Sequence, residues 1–108
     1  MIRIAGGRWR GRRLQTPRGM EVRPTLESVR QSLFNILGSQ RLEGARVADL
    51  FAGTSALGLE ALSRGAERLV SAEKDRRALG VLRRNVASLE ATEQVVVISV
   101  DLLVRKGV

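Results

Sequence analysis

The chain reads as an α/β protein: the N-terminal half of a doubly wound parallel sheet, preceded by a small basic β-hairpin. Three observations predict this. The apolar run Val47-Ala48-Asp49-Leu50-Phe51 ends in the small-residue turn Ala52-Gly53-Thr54-Ser55, and a helical pattern opens behind it. Two further apolar runs, Leu69-Val70-Ser71-Ala72 and Val95-Val96-Val97-Ile98-Ser99-Val100, follow at the spacing of strand–helix–strand units. Ahead of them, residues 2–22 are punctuated by glycine and alternate isoleucine with arginine, as on a half-buried strand.

The elements are justified in order. Ile2 and Ile4 flank Arg3, and Gly6-Gly7 breaks the strand. Arg8-Trp9-Arg10-Gly11-Arg12-Arg13 interleaves arginine with one aromatic residue, and Pro17-Arg18-Gly19 reads as a second turn. Thr25 is a good N-cap for a helix over 26–37, and Gly38 is a natural stop. Leu26, Val29, Leu33, Ile36 and Leu37 recur at helical spacing, with Phe34 adjoining, so this helix is expected to pack on the sheet through that face. Arg30 there could reach solvent or a ligand, and by itself reads as a solvated charge. Residues 38–45 read as a loop. Strands are expected at about 46–51, 68–73 and 95–100, and helices at about 56–63 and after Asp75, which caps a stripe of Leu79, Leu82, Val86 and Leu89.

Composition narrows the function. The 108 residues contain no cysteine and no histidine, which excludes a disulfide framework, thiol chemistry, a Ser-His-Asp triad and the usual zinc sites. No apolar run approaches the ~20 residues of a membrane span, and the N-terminus lacks a signal-peptide core, so a cytoplasmic protein is the default expectation. The formal charge is +8. Residues 1–30 hold eight arginines against two glutamates, a net of +6, so the potential to bind a polyanion lies in this first segment. The reading is a basic arm over residues 1–22 that grips RNA phosphates through Arg3, Arg8, Arg10, Arg12 and Arg13, joined by Arg23 just beyond it, with Trp9 able to stack on a base. A solvated arm with Trp9 packed on the core is the plainer alternative.

Three polar positions converge by topology. The 49–58 turn, Glu73 and Asp101 each lie at the carboxyl end of a successive parallel strand, and so line one crevice suited to a nucleotide-like ligand. Glu73 follows Gly53 by 20 residues, about the spacing at which an acid takes ribose hydroxyls. Asp101 is placed to accept from an adenine amino group, or caps its strand. Asp49 contacts a charged amino group, or bonds to backbone N–H groups of the turn.

The segments Ile2-Arg3-Ile4-Ala5-Gly6-Gly7-Arg8-Trp9-Arg10-Gly11-Arg12, Arg23-Pro24-Thr25 and Val29–Leu37 resemble the N-terminal signature of the RsmD family. Asp49–Ala66 resembles that family's cofactor loop and first helix, and Ala72-Glu73-Lys74-Asp75 its ribose-binding strand end. The resemblance covers residues 2 to about 101. It implies a Rossmann-like class I methyltransferase fold and S-adenosylmethionine as cofactor. It also implies transfer to guanine N2 of small-subunit ribosomal RNA, with the small ribosomal subunit as partner. The cofactor residues it implies are Asp49, Phe51, Ala52, Gly53, Ser55, Glu73, Lys74 and Asp101, within a partial methyltransferase domain over 23–108.

The sequence departs from the family at Ser55, where glycine is usual, and at Gln31, where glutamate is common. It also lacks the family's Asn/Asp-Pro-Pro-aromatic motif, since its prolines are Pro17 and Pro24. No catalytic residue and no metal ligand is therefore named, and the chain is expected to be the first half of such an enzyme. In the family's full sheet the strand at Val47–Phe51 pairs with a fourth strand; an open edge there invites self-association. The alternative is a non-enzymatic arginine-rich RNA-binding module on an α/β scaffold. A nucleotide-dependent oxidoreductase fits less well, because Phe51 and Ser55 break the dinucleotide glycine pattern and the basic arm has no task.

Overall fold

Two short antiparallel strands, β1 (Ile2–Arg3) and β2 (Arg13–Leu14), open the chain and pair Ile2 with Leu14. Helices α1 (Pro24–Leu37) and α2 (Ser39–Leu42) follow, then β3 (Arg46–Leu50), α3 (Ala56–Ser63), β4 (Arg68–Glu73), α4 (Arg76–Ser88), a 3-10 turn at Thr92–Gln94, and β5 (Val95–Ser99). The computed structural model describes residues 2–16, 24–50, 52, 53 and 55–100. The expected turn at Pro17-Arg18-Gly19 and the positions Arg23, Phe51 and Asp101 lie outside the described residues.

Strands β3, β4 and β5 form a parallel sheet in that order, with Val47 beside Leu69 and Leu69 beside Val95. Val47, Leu69, Val95 and Val97 share one face and join Leu59, Leu62, Leu82 and Val86 in a single core. Helices α3 and α4 therefore cover the same side of the sheet, as two right-handed crossovers stepping in one direction require. The opposite side carries Leu50 and Val96, which are 67% and 54% exposed. Gly58 allows α3 to lie close on β4: a Cβ there would come 2.6 Å from a Leu69 methyl carbon. Asp75 caps α4, accepting from the backbone N–H groups of Arg77 and Ala78 at 2.8 and 3.2 Å.

The hairpin belongs to the same core. Ile2, Ile4 and Leu14 are buried among the residues of α3 and α4. Its outer loop is fastened to α3 by Ser63. The Ser63 hydroxyl donates to the Gly6 carbonyl at 2.6 Å and accepts from Trp9 N–H at 2.9 Å, while the Ser63 carbonyl accepts from Arg8 N–H at 2.8 Å. Gly7, with φ +80°, sits so close that a Cβ would collide with that carbonyl. Asn85 of α4 pairs with the Gln15 backbone in both directions, at 2.7 and 3.1 Å.

Three expectations are corrected. Helix α1 begins at Pro24, two residues before the expected start, because the fixed φ of proline suits a first helical position. The segment 38–45 contains α2 and is not a plain loop. The apolar stripe of α1 does not face the sheet: Val29 is 62% exposed, Ile36 82%, and Leu33 is also exposed. The helix instead buries Phe34 and Arg30, the latter 4% exposed, so Arg30 is not a solvated charge.

Arg30 is turned inward by Glu60, which is fully buried on α3. Glu60 accepts from the Ala5 and Gly6 N–H groups at 2.8 and 2.9 Å and from Arg64 Nε at 2.9 Å, and it lies 3.6 Å from Arg30 Nη1. Arg30 also donates to the Arg3 carbonyl at 2.7 Å. Removing one partner of a buried pair costs about 3–5 kcal/mol because the other charges stay buried. Glu60→Ala is expected to lose stability of that order in denaturant unfolding and to shift Trp9 emission, the single tryptophan of the chain, to the red as the hairpin loosens. Glu60→Gln should lose less.

Candidate cofactor crevice and nucleic-acid interface

The turn between β3 and α3 is built around Ser55. This residue sits in the left-handed region at φ 61° and ψ 33°, immediately before α3, and is fully buried. Glycine adopts this conformation freely, whereas a residue with a Cβ is penalised by about 1–2 kcal/mol. Serine has a compensation that glycine lacks. Its hydroxyl donates to Asp49 Oδ2 at 3.3 Å and lies 2.6 Å from the hydroxyl of Ser71, a buried residue of β4. The departure at Ser55 thus replaces conformational freedom with a hydrogen-bonded anchor between the turn, β3 and β4.

Asp49 also accepts from Gly58 N–H at 3.1 Å, in the first turn of α3. Burial pushes its carboxyl above the usual carboxylate range, opposed by the Gly58 and Ser55 hydrogen bonds and reinforced by the charge of Glu73. Glu73, at the end of β4, is buried as well. Its Oε1 accepts from Gly53 N–H at 2.7 Å, and its Oε2 accepts from Lys74 and Asp75 N–H at 2.9 and 2.8 Å. A carboxylate offers about four acceptor sites, so one remains while the turn keeps this arrangement. Asp49, Gly53, Ser55 and Glu73 are brought together; Ala52 is beside them, its N–H bonded to the Ala72 carbonyl at 2.9 Å, and the Lys74 side chain is exposed.

The predicted arginines divide into groups. Arg3, Arg8, Arg10, Arg12 and Arg13 are all exposed on the hairpin. Arg8 donates to Gln94 Oε1 at 2.7 Å and Arg12 to the Ser88 carbonyl at 2.8 Å. Arg3 and Arg10 line a groove of about 510 Å³ between the hairpin and α1, with Ser28 and Gln31 on its other wall. Trp9 packs against the core with the Arg8 guanidinium 4.2 Å from its ring centre. Gln31 accepts from Arg64 at 3.0 Å, so its neutral amide serves a guanidinium that Glu60 already neutralises.

Sequence reasoning missed Glu60, Ser63, Ser71 and Asn85. Each is a polar residue on a face otherwise occupied by apolar ones, and that pattern was the available signal. For Asp49, the raised carboxyl has a sign. Its charged form is disfavoured by folding, so stability falls as pH rises from the unfolded carboxylate value through the raised folded one, and stays lower above it. Asp49→Asn is therefore expected to change the melting temperature more favourably at pH 7 than at pH 3, in paired thermal melts with the parent chain.

Comparison with known proteins identifies the family. The profile described as "Conserved hypothetical protein 95" matches residues 2–106. The chain is 45% identical over 108 residues to Ribosomal RNA small subunit methyltransferase D of Escherichia coli strain K12, covering 98% of this chain and 54% of that protein. It is 37% identical over 93 residues to the Haemophilus influenzae protein of the same name, covering 86% and 48%. Among solved structures, it superposes on yhhF from Escherichia coli with a TM-score of 0.78 at 42% identity, over 91% of this chain and 51% of that one. A Thermus structure, TTHA0928, gives a TM-score of 0.71 at 34% identity, over 92% and 55%. The chain spans about half the length of these relatives. With hairpin, parallel sheet and turn in the same order as its motifs indicated, the chain belongs to the Conserved hypothetical protein 95 family, the RsmD family that its sequence resembles.

Proposed function

We propose that this chain is the cofactor-binding and RNA-gripping portion of an S-adenosylmethionine-dependent methyltransferase acting on guanine N2 of small-subunit ribosomal RNA. The observation that carries the reading is the crevice at the carboxyl ends of β3 and β4. There, two carboxylates flank a left-handed turn, and the same helix that closes the turn holds an arginine-studded hairpin. The donor set fits the cofactor. Acidic groups in a desolvated crevice suit a cationic sulfonium ligand that also carries an ammonium and two ribose hydroxyls. Asp49 takes the ammonium, and Glu73 takes one hydroxyl at its remaining acceptor site and a second on release of Gly53 N–H. When bound, the cofactor supplies an electrophilic methyl group. Phe51 and Asp101 complete the assignment from the resemblance, with Ala52 and Gly53 in the turn and Lys74 just past the end of β4; no methyl-transfer residue is assigned among the described residues.

On the RNA side, Arg3, Arg8, Arg10, Arg12 and Arg13 of an arm proposed for residues 1–22, together with Arg23 next to it, bind phosphates. Trp9 anchors that arm, and stacking on a base requires Arg8 to move aside. The partner is ribosomal RNA within or before the small subunit. A second reading, an RNA-binding module without cofactor, is favoured by the three backbone N–H groups already held by Glu73.

Calorimetric titration with S-adenosylmethionine separates the two. The proposal expects saturable binding, lost in Glu73→Ala and weakened in Glu73→Gln with the helical circular dichroism retained. No heat at millimolar cofactor leaves the RNA-binding module.

Self-association is also proposed, through the edge of β3 and the exposed side holding Leu50 and Val96. Sedimentation velocity should show larger species growing with concentration. A sharp monomeric melting transition independent of concentration contradicts this.

A further inference from the structure

We propose that the outward face of α4 is a second RNA-backbone contact, a track of guanidinium groups running from the crevice to the arginine hairpin. The inference rests on the RNA-directed reading above. Helix α4 buries Ala78, Leu79, Val81, Leu82, Asn85 and Val86. Its exposed face carries Arg76, Arg77, Gly80, Arg83 and Arg84. The two arginine pairs are seven residues apart, so they lie on one side of the helix, about 10 Å from each other along its axis.

Among the described residues, no acidic side chain forms an ion pair with this face. The ion pairs among the described residues are the two made by Glu60. The Asp75 carboxylate is used in capping α4, Glu73 is held by backbone N–H groups, and Glu90 lies beyond the C-terminal end of the helix. A helix that only faces solvent gains from a glutamate four residues from an arginine. The position four after Arg76 and four before Arg84, where a glutamate would reach both, is Gly80.

Among the described residues, nothing packs on Gly80 that would require a glycine there. A Cβ built there meets nothing within 4 Å, and glycine weakens a helix interior relative to alanine. A bare centre flanked by four guanidiniums allows a phosphodiester chain to approach the helix closely. The track is continuous at both ends. Arg12 of the hairpin donates to the Ser88 carbonyl in the last turn of α4, and exposed Lys74 stands between Glu73 and the start of the helix. RNA fits this face better than a lipid surface does, since an interfacial helix turns its apolar side to the membrane and that side of α4 is in the core.

The test is fluorescence anisotropy of a labelled RNA stem-loop with the full chain, across a series of salt concentrations. Arg83→Gln with Arg84→Gln should weaken binding about tenfold and make the dependence of log K on log salt shallower by about 1.4–1.8, the release expected for two phosphate contacts. Gly80→Leu should weaken binding several-fold with an unchanged or higher melting temperature. Wild-type affinity and slope in both α4 variants, with weak binding by Arg10→Gln/Arg13→Gln, overturns this inference and leaves the hairpin reading intact. Failure of the parent chain to bind the RNA at low salt overturns the RNA reading itself. Binding to phosphatidylserine vesicles without RNA binding overturns both in favour of a membrane.

Discussion

The carboxylate of Glu60 holds this structure together. A buried ion is costly unless its remaining lone pairs are satisfied, and here two backbone N–H groups and two guanidiniums surround it. Those partners come from three places in the chain: the hairpin, α1 and the C-cap of α3. The short helix that carries Glu60 starts at the turn of the crevice and ends at Ser63, which fastens the hairpin loop. One eight-residue helix therefore couples the two regions proposed to bind ligands. The hairpin is a packed part of the domain, with its isoleucines in the common core and its arginines outside.

The crevice follows a similar logic. Both of its carboxylates are oriented by backbone N–H groups, and the turn is pinned to β4 by the Ser55–Ser71 hydroxyl pair. Acceptors fixed in this way would lower the ordering cost of binding the proposed ligand. The desolvation that raises the Asp49 carboxyl is the counterpart of that arrangement, a stability penalty that comes with burying the acid.

Arginine has two separate tasks here. Arg30 and Arg64 neutralise an interior acid, and Arg64 lies 5.2 Å from the Phe34 ring centre. The hairpin and α4 arginines face outward without carboxylate partners among the described residues. Charge counted along the sequence merges these populations. It assigns the basic character to the first thirty residues, whereas α4 presents a second basic surface hidden in a nearly neutral stretch.

The sequence by itself determined the order β3, α3, β4, α4 and β5, close to their observed limits, and the cap at Asp75. It also assembled most of the crevice, because Asp49, Gly53, Ser55 and Glu73 sit at strand ends that topology alone brings together. These features are local: a period, a capping side chain and a turn are set by neighbours a few residues away. Only the tertiary structure decided which way α1 faces. Its apolar stripe predicts one burial face, but the attraction of Glu60 for Arg30 and the packing of Phe34 select another, leaving Ile36 in the open. Only the tertiary structure, likewise, decided that Glu73 spends three of its acceptor sites on the backbone and that Ser63 and Asn85 fasten the hairpin. The partners of a buried polar group lie tens of residues away in the chain, and no local pattern records them.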